Sequence, residues 1–180
     1  MAKSTTVTFA SPGNGTTNHL VGVLLQNMSQ TDMTHVPYRG AAPAMNDVMA
    51  GTVTFLSGDL GTLLPQVNSG KLRPLAVTGP RRVAVLPQVP TVAEAGLAGF
   101  EATGWFGIFA PKGTPPVVVE RLSVEFAAAL KDPRVTQRLH DLGGTAMPLG
   151  PEQLNKLVAA ESAKWRRVIV ENKITADDLQ

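Results

Sequence analysis

The chain has 180 residues, 43% of them apolar, enough to build one sizeable core or two small lobes. Sixteen basic residues nearly balance 14 acidic ones, and only nine aromatics are present (two Trp, one Tyr, six Phe), which argues against a basic nucleic-acid face with a base-stacking platform. The absence of cysteine excludes disulfides, thiolate metal sites and a Cys nucleophile.

The segments then alternate regularly. Val7–Ala10 reads as a strand. A helix follows from about Thr17, with Leu20, Val23, Leu24 and Met28 at helical spacing. Met33–Tyr38 is a second strand, and Pro43 suits the first turn of a short helix, Ala44–Ala50, which Gly51 ends. Thr52–Ser57 is a third strand. Leu60, Leu63, Leu64 and Val67 mark a helix ending near Gly70, and Arg73–Thr78 is a fourth strand. This βαβαβαβ order predicts an α/β fold: a mainly parallel sheet with flanking helices.

Residues 79–100, rich in Pro and Gly, read as a long connection with a helical turn at Val92–Ala95. The apolar run Ala102–Ala110, ATGWFGIFA, predicts a strand buried on both faces. A helix runs from Pro115-Pro116 to about Lys131, another from Asp132-Pro133 to Gly143-Gly144, and Thr145–Leu149 is a further strand. Pro151 starts a long last helix carrying Leu154, Leu157, Val158, Trp165 and Val168 on one face. Residues 101–180 thus contain one very apolar strand and no good partner for it. No stretch is apolar for long enough to span a bilayer, and residues 1–9, MAKSTTVTF, lack the apolar core of a signal peptide. The expectation is the C-terminal part of a larger two-lobed protein.

In a parallel sheet, ligands bind beyond the carboxyl ends of the strands. Those positions are occupied here by SPGNGT after the first strand, Arg39-Gly40-Ala41-Ala42 after the second, Ser57-Gly58-Asp59 after the third and Gly79-Pro80-Arg81-Arg82 after the fourth. Small residues expose backbone N–H groups where helix dipoles also favour an anion. Each loop also has a plain structural reading: Gly13-Asn14-Gly15 as a tight turn, Thr16 and Asp59 as helix N-caps, His19 and His35 as satisfied polar residues. A nucleotide phosphate is disfavoured. No lysine follows Gly15, as GxxxxGK would require, and Asn18 stands where GxGxxG needs its third glycine. Catalysis is poorly supported: Ser57, His19 and Asp59 lack a GxSxG elbow, and His19, His35 and His140 lack metal spacing. No cofactor is called for.

Five blocks in register, GNGTTNHL, HVPYRGAAPAMNDVMAG, LPQVNSGKLRPLAVT, LPQVPTVAEAGLAGFEATGWFGIFAPKGTPP and the PEQL-to-KWRRVI helix, resemble the Bug (TctC-like) family. These are extracytoplasmic solute-binding proteins of tripartite tricarboxylate transporters, and the resemblance runs from about residue 7 to about 175. It implies a periplasmic-binding-protein-like fold with two lobes around a cleft. Residues 1–100 would form a nearly complete ligand-binding lobe, and 101–180 would return to a second, partial lobe whose N-terminal half, with a Pro-Gly-Gly ligand turn, is absent. By motif, Asn14, Gly15, Thr16 and His19 would face the ligand, with Tyr38, Gly40, Ala41 and Ala42. Ser57 and Asp59 complete the candidate set, although Gly58 stands where family members often carry Asp or Ser. The implied function is non-enzymatic, periplasmic binding of small carboxylates, such as di- or tricarboxylates or acidic amino acids, for membrane permease subunits. The alternatives are a stand-alone domain that forms a homodimer through uncovered faces of residues 101–180, or an ester hydrolase using Ser57 or His19.

Overall fold

The computed structural model describes residues 6–175. Its centre is a three-stranded parallel sheet in the order β2-β1-β3, formed by β1 (Val7–Ser11), β2 (Met33–Pro37) and β3 (Phe55–Leu56). β1 is the middle strand. It pairs Phe9 with His35 on one side and with Phe55 on the other, in register with Ala10 opposite Val36 and Leu56.

Successive residues of a strand face opposite sides, so Phe9 and Ala10 organise two cores. Phe9 packs with Val23 of α1 (Thr17–Ser29) and Val168 of α6 (Pro151–Glu171), with Trp165 and Phe55 at the margin. Ala10 packs with Ala44 of α2 (Ala41–Met49) and with Val53 on the other face. Both faces of the sheet are therefore covered, as expected for parallel strands. α1 approaches so closely that a Cβ at Gly22 would land on the Phe9 ring. A third cluster, Val21, Phe100 and Ala102, fastens the connection after β3 to the outer side of α1.

α1 begins at Thr16, whose hydroxyl accepts the His19 N–H, and ends at Gln30 in the left-handed region. The last α6 turns are tied to the Phe9–Val23 core through Trp165 and Val168, and the Trp165 indole N–H donates to Glu161 at 2.8 Å. α3 (Leu60–Asn68), α4 (Pro116–Ala129) and α5 (Pro133–Asp141) complete the element list. Gly143, at φ 74°, ends α5 against Leu60, where a side chain would collide.

The sheet has three strands rather than the expected four, and three predicted strands do not form among the described residues. Arg73–Thr78 makes a single bridge, Val77 to Thr91: Pro74 has no N–H for a ladder, and the chain doubles back on its own connection instead of joining β3. Ala102–Ala110 forms no strand: the Ala102 N–H donates to Thr78 O at 2.8 Å but no ladder follows, and Phe106 is 98% exposed, with Ile108 and Phe109 exposed too. Thr145–Leu149 likewise lacks a partner. Thr52–Ser57 contracts to Phe55–Leu56, and α2 starts at Ala41 rather than Ala44, with Pro43 in its first turn as expected. α4 and α5 appear at the predicted places but bury no residue fully.

The Gly22–Phe9 approach gives a direct check. Gly22→Ala should destabilise the fold by about 1–3 kcal/mol through overpacking, read as a lower urea midpoint. An unchanged midpoint would show that α1 does not sit against Phe9.

Candidate functional site

The order β2-β1-β3 creates a topological switch. The chain leaves β1 through α1 toward β2, then crosses through α2 to β3 on the opposite side. The loops after β1, β2 and β3 consequently lie along one edge of the sheet. Two of them are zipped together: Tyr38 N–H donates to Ser11 O and Gly40 N–H to Pro12 O, both at 3.0 Å.

The first loop is held from inside. Gly13 O accepts from the Thr16 hydroxyl (2.7 Å) and the Ser11 hydroxyl (2.9 Å). A carbonyl can only accept, so the Ser11 proton is committed to Gly13 O. Ser11 Oγ must then accept from His35 Nε2, 2.7 Å away, which fixes the proton of neutral His35 on Nε2. Gly15 N–H donates to His19 Nδ1 at 3.0 Å, so that nitrogen carries none. The two imidazoles stack at 3.9 Å with a 12° interplanar angle, and Phe9 lies 4.9 Å from His35. Burial, and secondarily the nearby His19, push His35 down to about 4.

These bonds decide which amides remain for a ligand. Gly13, Gly15, Thr16 and Gly40 donate within the protein. The N–H groups of Asn14, Ala41 and Ala42 have no partner among the described residues. Pro43 has none to offer. α1 and α2 carry no acidic residue at the N-cap or in the first turn, so their dipoles are left for an external anion, whereas Asp59 occupies the N-cap of α3. Tyr38 turns its hydroxyl to Asp47 at 2.6 Å; that bond is the main reason its pKa is raised. Asp59 is the N-cap of α3 by backbone position, exposed and without a side-chain cap bond, and half-buried Ser57 has no hydrogen-bond partner among the described residues. No Ser57–His19 hydrogen bond of a catalytic pair is therefore present, and the described residues hold no cluster of three metal-ligating side chains.

The structure thus brings Asn14–Thr16, His19, Tyr38 and Gly40–Ala42 together, with Ser57 and Asp59 on the same sheet edge. Sequence reasoning missed Ser11 and left His35 aside. The signal was available: in β2, alternation puts His35 on the Met33 side, the face that α1 covers. A separate cavity of about 340 Å³ lies between α1, residues 103–105 and α6, but Glu161 lines it and would repel an anion.

A doubly covered parallel sheet with anion-favouring loops at a switch point is the architecture of a periplasmic-binding-protein lobe, and solved structures agree. The R. palustris protein with adipate superposes with a TM-score of 0.84 at 34% identity, over 94% of this chain and 56% of that one. MatC from Rhodopseudomonas palustris with bound malate gives 0.75 at 33% identity, over 91% and 56%. The family described as the tripartite tricarboxylate transporter family receptor matches residues 1–174, and the chain belongs to it. A protein of the tcbD-tcbE intergenic region of Pseudomonas sp. is 41% identical over 172 residues, 95% of this chain and 51% of that protein. A protein of the clcB-clcD intergenic region of Pseudomonas knackmussii is 33% identical over 168 residues, 93% of this chain and 99% of that protein. The chain thus spans about half the length of the first of these relatives and nearly the full length of the second.

His35 sets a pH dependence. The unfolded chain takes up its proton near the ordinary value of 6.5, the folded chain only near 4. Stability is therefore full above about 6.5 and falls between 6.5 and 4. Urea midpoints at pH 7 and pH 5 should differ more in the wild type than in His35→Gln; equal differences would remove His35 as the cause.

Proposed function

We propose that the chain is the carboxylate-binding part of a periplasmic receptor that delivers its ligand to the permease subunits of a tripartite tricarboxylate transporter. One observation carries this reading: the unpartnered amides of Asn14, Ala41 and Ala42 sit beside helix starts free of acidic side chains. Amides of this kind hold a carboxylate directly or through bridging water. The ligands of the two similar R. palustris structures, adipate and malate, are both small dicarboxylates. On this reading Asn14, Gly15, Thr16, His19, Tyr38, Gly40, Ala41 and Ala42 form one wall of the site, and Ser57 and Asp59 flank it. Residues 1–100 supply the ligand-binding lobe. Residues 101–180 belong with a second lobe, apart from the α6 contacts to α1, and closure of that lobe completes the site.

The test is a thermal-unfolding scan of the complete gene product against adipate, malate, citrate and glutamate. A ligand held at 100 times its Kd adds about 2.7 kcal/mol of stability. Stabilisation by at least one dicarboxylate is expected; none by any of the four would overturn the reading.

A second reading, a self-associating domain, is favoured by the exposure of Phe106, Ile108, Phe109, Val117 and Val124, which a second copy would bury. The Pseudomonas knackmussii relative, matched over 99% of its own length, shares this reach. Sedimentation at micromolar concentration separates the two: a monomer that stays monodisperse eliminates self-association.

A further inference from the structure

β1 ends in a serine of 0% exposure. A buried hydroxyl persists where its hydrogen bonds are made, and Ser11 makes three: to Gly13 O, from Gly13 N–H and from His35 Nε2. His35 stacks on His19, and His19 takes the Gly15 N–H. Two connected paths, one through each imidazole, thus end on residues 13 and 15. The free amide of Asn14 lies between these two tethered neighbours.

Building on the carboxylate-binding reading, we propose that Ser11, His35 and His19 are positioning residues: they lock Gly13 and Gly15 so that the Asn14 amide is preset for a carboxylate. Preorganised donors bind more tightly because the ordering cost falls at folding rather than at binding. The groups facing His35 are His19 from α1 and Ser11 and Phe9 from β1, and among the described residues no carboxylate or cation pairs with it. With its pKa near 4, His35 stays neutral at a pH where small carboxylates are ionised, which keeps like charges from meeting in the stack.

The test compares Ser11→Ala, His35→Leu and His35→Gln in the full chain by amide hydrogen exchange, with adipate affinity measured alongside. Gln can still donate to Ser11; Leu cannot. Ser11→Ala and His35→Leu should speed exchange at Gly13 and Gly15 by about five- to tenfold, the worth of one hydrogen bond, with core amides of β1 and β2 unchanged. Adipate affinity should fall by a similar factor, and His35→Gln should restore both. Wild-type exchange in His35→Leu, or faster exchange spread evenly over the sheet, would overturn the proposal. If Ser11→Ala fails to fold, the Leu–Gln pair decides alone. Absence of adipate binding by the wild type would count against the ligand reading, while the exchange pattern would still decide the positioning role.

Discussion

The constraint on which the structure depends is that β1 must be covered on both faces while its end stays open. Phe9 and Ala10 point to opposite sides, and each needs its own helical layer. α1 and α6 supply one, α2 the other. Because α1 returns to β2 and α2 crosses to β3, the coverage that buries β1 also divides the chain's path at its end. The candidate edge therefore follows from the packing problem: residues after a doubly covered central strand have nowhere to go but the crevice between diverging connections.

The region beyond residue 102 obeys the same physics with the opposite outcome. Trp105 to Phe109 has the composition of a buried strand, but a strand is completed by neighbours, not by composition. Without them it forms no strand, and Phe106 lies in solvent. The long α6 bridges the two situations. Trp165 and Val168 are seated against the first core, while the exposed faces of α4 and α5 end in water.

This contrast explains what was legible in the sequence. Elements whose pattern and partners are both local were readable: β1, α1, β2 and α6 appear close to their expected bounds, because periodicity, caps and Pro or Gly stops lie within each segment. Arg73–Thr78 and Thr145–Leu149 were not, since pairing depends on a distant edge being available, and Pro74 closes one of the two edges needed. The candidate site was legible at the level of loops, from small residues at strand ends. It was not legible at the level of atoms. That Gly13, Gly15 and Gly40 spend their amides internally depends on where His19, Ser11 and Pro12 sit in three dimensions. Alternation puts His35 on the face that α1 covers, but which ring meets it there, 3.9 Å away, is set only by how α1 packs.

Among the described residues, this edge presents unpartnered main-chain N–H groups at Asn14, Ala41 and Ala42. A main-chain donor survives every substitution at its position except one to proline, as Pro43 in the same helix start illustrates. Residues along such an edge are free to drift as long as the backbone path is kept. Selective pressure then falls on the groups that fix that path, and sequence identity at the edge itself becomes a poor measure of whether its chemistry is intact.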